Sequence, residues 1–286
     1  MKGVFGKNNE VRKMEDDKVK KFVKERYGKF AQENRSCCSS SCCQPSNTDI
    51  SQDIGYSKKD LQNIPQESIL GLGCGNPIAL ASLKEGEVVL DLGSGAGIDV
   101  FLAAKKVGNT GKVIGVDMTS EMLDRARLNA MKGKYANVEF RLGEIENLPV
   151  ADGSVDVIIS NCVINLSTDK KRVFEEAYRV LSPNGRLMVS DIVLLKELPK
   201  TIQQDMEAYA GCIAGAEIKD RYLELIKKAG FEEVKVLQEK VYPIDCIISE
   251  PETKDAINRL GLTQEQVEDV ANSIVSISVS ALKQLH

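Results

Sequence analysis

Short apolar runs alternate with amphipathic segments from about residue 85 to the end of the chain. The runs are rich in β-branched residues and most lack polar alternation, which is typical of parallel strands covered by helices on both faces. Seven runs are predicted to be strands: 87–92, 112–117, 138–142, 155–160, 186–190, 234–238 and 275–281. The segments between them predict helices over 98–107, 121–131 and 171–181. The pattern therefore predicts an α/β fold on a seven-stranded, mostly parallel sheet with helices on both faces.

Two segments outside this pattern are expected to form an arm and a lid. Apolar residues between Val19 and Ala31 recur at steps of three and four, which predicts an N-terminal helix, and the Cys-rich stretch 36–47 follows without periodicity. The connection after the fifth strand is too long for a simple crossover, and such connections often cover binding sites. The predicted units are an N-terminal helix and Cys-rich arm (1–47), a core (48–194), a substrate lid (195–220) and a C-terminal part that completes the sheet (221–286).

Composition and charge limit the partners. Lys and Arg number 38 and Asp and Glu 42 among 286 residues, so the net charge of −4 gives no general attraction to nucleic acid. No apolar stretch reaches the ~18 to 20 residues that a membrane span needs, and the first residues lack the apolar region of a signal peptide. We expect a cytoplasmic monomer that binds neither nucleic acid nor membranes.

The chain has one histidine, His286, and eight cysteines. A residue at the end of a chain is seldom held by structure, so Ser-His and Cys-His nucleophile pairs and Cys2His2 zinc sites are not expected. In a reducing compartment, the cysteines are expected to be thiols used for binding or catalysis rather than structural disulfides.

The first strand runs into a glycine-rich turn and then a helix, an arrangement that lets backbone approach a nucleotide closely. The turn does not match the Gly-x-Gly-x-x-Gly dinucleotide fingerprint, because position 98 is Ile. Asp91, just before the turn, would repel a pyrophosphate but suits a ligand with an ammonium group. We assign the amino acid part of S-adenosylmethionine to Asp91 and four turn residues: Gly93, Ser94, Gly95 and Gly97.

Acidic residues follow the next two strands in register with this turn. Asp117 is placed to accept both ribose hydroxyls, and Met118 to pack on the adenine. After the third strand, Glu144 is placed to accept from the adenine amino group and Ile145 to cover the ring. Over about residues 85 to 194 the sequence resembles the class I S-adenosylmethionine-dependent methyltransferases, which implies a Rossmann-like sheet and this cofactor.

Three cysteines lie in segments that can reach the same edge of the sheet. Cys162 follows the fourth strand, Cys74 precedes the first, and Cys212 lies in the connection after the fifth. A sulfonium methyl is already activated, so the acceptor must chiefly be held in line with it. Each cysteine has a structural alternative as a small buried apolar residue. Asn161 is assigned to the cofactor side, with a packing role as its alternative.

The segments around these cysteines sharpen the resemblance. Leu-Gly-Cys-Gly-Asn-Pro at 72–77, Ser-Asn-Cys-Val at 160–163, Gly-Cys-Ile-Ala-Gly-Ala at 211–216 and Tyr-Gly-Lys at 27–29 together resemble the arsenite methyltransferases. The resemblance implies that Cys74, Cys162 and Cys212 bind trivalent arsenic and are catalytic. It also implies an enzyme of class EC 2.1.1 that methylates arsenite and methylarsenite in arsenic detoxification, giving methylated arsenicals and S-adenosylhomocysteine.

Cys37-Cys38 and Cys42-Cys43 form two adjacent pairs. Their spacing does not match a zinc site, and no histidine completes one. By resemblance, Cys38 and Cys43 are assigned a catalytic role in returning arsenic to the trivalent state, with thioredoxin or glutathione as thiol reductant and thioredoxin as a partner. A simpler alternative is arsenite capture by the arm, and the sequence does not decide which of the four thiols acts. Cys246 is assigned as a structural thiol.

Two other functions stay open from the sequence. One is a small-molecule O-, N- or C-methyltransferase of the same fold with structural cysteines. The other is a thiol-rich protein that sequesters arsenic or metal without consuming cofactor, against which the intact set of cofactor residues argues.

Overall fold

The computed structural model describes residues 3–33, 46–203, 205–241 and 257–284. Six residues discussed above lie outside these ranges: Cys37, Cys38, Cys42, Cys43, Cys246 and His286. Within the described ranges, no helix is both long enough and apolar enough to cross a membrane.

A single sheet of eight strands organises the described residues. The strands are β1 (Val88–Leu92), β2 (Lys112–Asp117), β3 (Val138–Leu142), β4 (Val155–Asn161), β5 (Leu181–Leu194), β6 (Glu217–Ile218), β7 (Glu232–Val241) and β8 (Ile274–Leu282). Their order is β3-β2-β1-β4-β5-β8-β7, and β6 pairs with β5 off this path. The pairs from β3 to β5 are parallel, whereas β8 is antiparallel to both β5 and β7.

The predicted α/β class and mostly parallel sheet are confirmed, and all seven predicted strands form. The predicted strand count is one too low, because the two residues of β6 are too few to give a pattern. β5 extends beyond the predicted 186–190, since β8 pairs with it from Arg186 to Leu194. Hydrogen bonding to a partner strand, which a local pattern does not contain, sets these ends.

The described residues also include eleven α-helices. They are α1 (Gly3–Glu33), α2 (Asn47–Asp53), α3 (Lys58–Gln62), α4 (Pro77–Leu80), α5 (Ile98–Val107), α6 (Ser120–Gly133), α7 (Lys170–Val180), α8 (Lys200–Gln203), α9 (Met206–Ala210), α10 (Lys219–Lys228) and α11 (Gln264–Ala271). The three predicted core helices match α5, α6 and α7 to within two residues at each end, which is the usual uncertainty of a helix boundary.

Apolar side chains cover both faces of the sheet. Val89 of β1 packs in one core with Phe101 of α5, while its neighbour Leu90 packs in the other core with Phe174 of α7. Successive side chains of a strand point to opposite faces, so a strand covered on both sides must be apolar at successive positions. This accounts for the missing polar alternation in the sequence.

α1 forms the predicted N-terminal helix and packs against α6 and α9. Val23 is fully buried, and the Ala31 carbonyl accepts a hydrogen bond from Arg125 Nη1 of α6 at 3.0 Å. The helix is thereby docked on the folded core, although the Cys-rich segment after it lies outside the described residues.

Glu176 of α7 anchors the loop that follows β3. Its side chain is 2% exposed, and Oε2 accepts a hydrogen bond from the Leu148 backbone N–H at 2.9 Å. Arg179 donates to both carboxylate oxygens, at 2.8 and 2.6 Å, and Arg172 donates to Oε1 at 3.0 Å. The hydrogen bonds from Arg179 hold the pKa of Glu176 below its usual range, although burial opposes this. A buried ionised carboxylate thus fixes this loop to the helix beneath it.

Replacing this carboxylate should destabilise the protein at neutral pH. E176Q should lower the free energy of unfolding by about 2 kcal/mol, because hydrogen bonds to a buried charge are lost. The native pKa is depressed, so the stabilisation is present above the unfolded-state pKa of about 4.3 and is lost as pH falls through the native value. Urea unfolding at about pH 7 should therefore separate the two proteins, and the difference should narrow as pH falls below about 4.

The matched control is E175Q, one residue earlier on the same helix. Glu175 pairs only with Lys171 and Arg172 at the surface, among the described residues, and such pairs contribute little. Equal destabilisation by E175Q and E176Q, or a pH-independent effect of E176Q, would contradict this account.

Candidate active site

A cavity of about 550 Å³ lies at the carboxyl ends of the central parallel strands. Its wall includes Asp91 of β1, Asp117 of β2 and Asn161 of β4. Residues of α1 line another side, Val23 and Tyr27 among them. A cavity at the carboxyl ends of parallel strands is the usual place for a ligand in an open α/β sheet.

The glycine-rich turn needs its glycines for close packing. Gly93 has φ +67°, and a Cβ there would lie 2.3 Å from Val163 Cγ2. Its N–H and that of Ser94 both donate to the Val116 carbonyl, at 2.8 and 3.0 Å, which ties the turn to β2. Gly93, Ser94 and Gly95 line the cavity, whereas Gly97 is not among the lining residues. A Cβ on Gly97 would lie 2.7 Å from the Phe101 ring, so that glycine serves packing beneath the turn.

Three carboxylates stand together at this end of the cavity, of which Asp91 and Asp99 are buried and Asp117 is partly buried. Burial raises the pKa of Asp91 well above its usual range, and the charges of Asp99 and Asp117 raise it further. Burial likewise raises the pKa of Asp99 to about 6, although Tyr56 and Asn161 donate hydrogen bonds to it. No described residue donates a hydrogen bond to the Asp91 carboxylate. The cluster therefore has the electrostatic character of a site for a cation.

Asp117 is held by the backbone on either side of it. Oδ2 accepts from the Gly95 N–H at 2.9 Å and Oδ1 from the Thr119 N–H at 2.8 Å. Burial raises the pKa of Asp117, and these two donors partly offset that rise. Each oxygen keeps acceptor capacity for a further donor. Met118 and Ile145 also line the cavity, as expected of residues that cover a ring.

Glu144 does not line the cavity in this structure. Its Oε2 pairs with Lys20 Nζ of α1 at 2.7 Å, and its side chain is 51% exposed. Lys20 also pairs with Glu146 at 3.3 Å, and Glu146 does line the cavity. Of the residues predicted to contact the cofactor, Glu144 and Gly97 are thus the two that the structure leaves off the cavity wall.

The three predicted thiols converge at the other end of the cavity. The sulfur atoms of Cys74 and Cys162 lie within 4.8 Å of each other, and the Cys212 thiol donates to the Cys162 carbonyl at 3.1 Å. All three residues line the cavity and are free cysteines, with Cys74 and Cys212 buried. Sulfurs that are up to 138 positions apart in the sequence therefore share one pocket.

The backbone is strained where two of these thiols are presented. Cys162 has φ +56° and Cys212 φ +64°, a region that non-glycine residues seldom adopt. The Cys162 N–H donates to the Ser190 carbonyl at 2.8 Å, and the Cys74 carbonyl accepts from Ser276 Oγ at 2.7 Å. Strain of about 1 kcal/mol or more at such positions is typical of functional sites.

The thiols stay protonated at neutral pH. Burial raises the pKa of Cys74, although a hydrogen bond with Cys162 opposes this. The hydrogen bond with Cys212 lowers the pKa of Cys162, but its interaction with Cys74 and burial raise it well above the usual range. The hydrogen bond with Cys162 and burial both raise the pKa of Cys212. Burial and the close packing of three thiols account for all three directions.

Asn161 connects the two ends of the cavity. Its Oδ1 accepts from the Cys74 N–H at 3.1 Å, while Nδ2 donates to the Gly75 carbonyl at 2.9 Å and to Tyr56 Oη at 2.8 Å. Tyr56 in turn donates to Asp99 Oδ1 at 2.8 Å. The side chain therefore holds the backbone of Cys74 and also belongs to the carboxylate network.

Asp191 belongs to the thiol site but was not predicted from the sequence. A carboxylate oxygen of this fully buried residue lies within 4.8 Å of the sulfurs of Cys74 and Cys162. Burial raises the pKa of Asp191 to about 7. The available signal was a charged residue in a stretch of β5 that is otherwise apolar except for Ser190, since charged residues are seldom buried unless they are paired.

Comparisons with known proteins show which family the chain belongs to. A model of the methyltransferase domain family matches residues 83–230. A protein named arsenite methyltransferase from Halobacterium salinarum is 46% identical over 230 residues, 77% of this chain and 59% of the relative. One of the same name from Aquipseudomonas alcaligenes is 39% identical over 226 residues, 76% of this chain and 63% of the relative.

A solved structure is also similar to this chain. It is described as an arsenic(III) S-adenosylmethionine methyltransferase from Chlamydomonas reinhardtii. It has a TM-score of 0.60 and 31% identity, and the match covers 85% of this chain and 75% of that one. The chain spans about 60% of the length of the curated relatives it matches. The resemblance found in the sequence is confirmed, and the chain belongs to the methyltransferase domain family and, within it, to the arsenite methyltransferase family.

Proposed function

We propose that this protein transfers the methyl group of S-adenosylmethionine to trivalent arsenic held by the thiolates of Cys74, Cys162 and Cys212. The substrates are arsenite and methylarsenite, and the products are methylated arsenicals and S-adenosylhomocysteine. The observation that carries the proposal is the convergence of three free thiols in the same cavity as a cluster of buried carboxylates.

The carboxylate end of the cavity suits the cofactor. The Asp91 carboxylate and the buried Ser94 hydroxyl lack hydrogen-bond partners among the described residues, so both are available to a ligand. Asp91 would hold the ammonium group, and Asp117 the ribose hydroxyls, with acceptor capacity that its two backbone donors leave. S-adenosylmethionine supplies a methyl group that is already activated on a sulfonium. The protein needs only to hold the acceptor in line with it and exclude water.

The thiol end suits trivalent arsenic. This element is soft, prefers thiolate ligands, and keeps a lone pair when bound by three of them. Because the raised pKa values keep the thiols protonated, binding of arsenite as its neutral triol is balanced: three S–H protons leave with three hydroxides as water. The lone pair then attacks the methyl carbon, and no catalytic histidine is needed.

The remaining assignments complete this function. Residues 195–220, which contain α8, α9 and Cys212, act as the substrate lid over a cofactor-binding core of 48–194. Cys38 and Cys43 return arsenic to the trivalent state, and thioredoxin or glutathione regenerates their thiols. The protein acts in the cytoplasm as a monomer.

Arsenic speciation after incubation with cofactor and a thiol is the direct test of the proposed function. Methylation of an organic hydroxyl, amine or carbon in place of arsenic would support the alternative acceptor.

Removing one arsenic ligand should abolish arsenic methylation. C162S and C212S should each lose more than about 100-fold in methylarsenical formation, because a hydroxyl does not replace a soft thiolate. S-adenosylmethionine binding, measured by calorimetry, should stay within about threefold, since neither thiol belongs to the carboxylate cluster. C246S serves as the control cysteine variant. Full activity of C162S or C212S would contradict the three-thiolate site.

Replacing Asp91 should separate ligand affinity from stability. D91N should weaken S-adenosylmethionine binding by at least about tenfold, because a charge-assisted hydrogen bond is lost. The Tm of the cofactor-free protein should be unchanged or higher, because repulsion from Asp99 and Asp117 is relieved. A cation binds the ionised form of a carboxyl whose pKa is raised, so wild-type affinity should rise with pH below that pKa.

The control for D91N is D124N, at an exposed position on α6 where Asp124 pairs with Arg127. D124N should bind S-adenosylmethionine as the wild type does. Equal affinities of D91N and the wild type, with the same pH dependence, would remove Asp91 from the site.

The role of Cys38 and Cys43 is testable by turnover number. The double variant C38S/C43S should bind arsenite and S-adenosylmethionine normally and complete a first methyl transfer. With thioredoxin as reductant it should then form at least about tenfold less product at steady state, because the pentavalent product is not reduced. Steady-state rates equal to those of the wild type at low and high arsenite would make both thiols bystanders.

A further inference from the structure

A buried carboxylate stands beside the thiol pocket and takes no part in the mechanism above. Among the described residues, one group of three potential ligand atoms lies within 4.8 Å of one another, and it consists of the sulfurs of Cys74 and Cys162 and a carboxylate oxygen of Asp191. Asp191 is fully buried on β5. Placing a charge there is costly, so a function for it should follow from what it faces.

The protein fixes this carboxylate with three donors. Asn165 Nδ2 and the Ile192 N–H donate to Oδ1 at 2.8 and 2.9 Å, and the Tyr222 hydroxyl donates to Oδ2 at 3.1 Å. Asn165 is itself anchored by a second hydrogen bond to the Ile192 carbonyl. Donors aimed at both oxygens favour the ionised form and hold it in one orientation. The positive charge of Lys170 acts in the same direction.

The proposed reaction moves a positive charge toward this carboxylate. The arsenic lone pair forms the new As–C bond, and the S–CH3 bond breaks with its electron pair going to sulfur. The sulfonium becomes a neutral thioether, and the neutral arsenic trithiolate becomes a methylated cation. Charge is therefore lost at the cofactor sulfur and gained at arsenic, with no other reactant needed.

We infer that Asp191 stabilises the positive charge that methyl transfer creates on arsenic. This inference rests on the proposed function. A fixed negative group near the acceptor interacts more strongly with the transition state than with the uncharged trithiolate, so it raises the rate of transfer rather than the affinity for arsenite. Three hydrogen bonds already hold both oxygens in one orientation, which favours action through space over movement toward arsenic as a fourth ligand. Asp191 thus acts electrostatically on arsenic and takes no part in making or breaking bonds.

The test is D191N, which removes the charge at nearly constant shape. Arsenite and S-adenosylmethionine should each bind within about threefold of wild type by calorimetry. The single-turnover rate of methyl transfer with both ligands saturating should fall by about 100-fold, which corresponds to about 2.7 kcal/mol at 1.36 kcal/mol per tenfold. The assays are run at about pH 8, so that the wild-type carboxylate is ionised.

Two further variants separate charge from structure. Y222F removes one hydrogen bond but keeps the carboxylate, so its rate should fall by less than about tenfold. Lys170 is the neighbouring cation, and its charge opposes a cation on arsenic. Because Lys170 also favours the ionised carboxylate, K170M and wild type are compared at about pH 9, where Asp191 stays ionised without it. The K170M rate should then be higher than wild type or within about threefold of it, and this variant keeps the inference testable if D191N fails to fold.

The outcomes are distinguishable. Wild-type protein that forms no methylated arsenic would defeat the proposed function. Wild-type activity together with an unchanged rate in D191N, or a more than tenfold fall in K170M, would overturn the role of Asp191 alone. Loss of arsenite binding in D191N with an unchanged saturated rate would also overturn it, because the residue would then act as a ligand.

Discussion

The amide of Asn161 ties together the parts on which this site depends. Cys74 lies before the first strand and Asn161 ends the fourth, and hydrogen bonds to the Cys74 N–H and the Gly75 carbonyl hold the two segments together. A Cβ on Gly73 would come within 2.9 Å of the same amide, so the segment must approach this closely. These two hydrogen bonds fix the segment that carries the first thiol directly to the end of the strand that precedes the second. The assigned cofactor-side residue is therefore also the organiser of the thiol pocket.

Both ends of the cavity are energetically unfavourable in the ligand-free protein, for different reasons. The carboxylate end concentrates negative charge with too few hydrogen-bond donors, and the thiol end buries three protonated thiols. Each arrangement costs folding free energy in the absence of ligand, and each is relieved by the ligand proposed for it, a cation in one case and a thiophilic element in the other. Ligand binding offsets this cost. A substitution that removes the unfavourable arrangement should therefore stabilise the ligand-free protein and weaken ligand binding.

Local sequence patterns predicted most of the fold and part of the candidate site. The turn after β1 and the carboxylates that end β1 and β2 are continuous strand-turn-helix signals, so they are visible in the chain itself. The meeting of Cys74, Cys162 and Cys212 is not, since it depends on how distant segments cross one edge of the sheet, and resemblance supplied it. Asp191 was not predicted, because its role depends on the sulfurs that lie near it in the folded protein. The contact of Glu144 with Lys20 depends on where α1 docks, which no helical period specifies.

The ion pair between Glu144 and Lys20 contributes little to the docking of α1. The helix is held mainly by apolar contacts, such as that of the fully buried Val23, which are worth about 1.5 to 3 kcal/mol for a side chain of this kind. An ion pair of a half-exposed carboxylate is worth about 1 kcal/mol or less. Lys20 also keeps a second partner in Glu146. Glu144 can therefore exchange Lys20 for another donor at small cost while α1 remains docked.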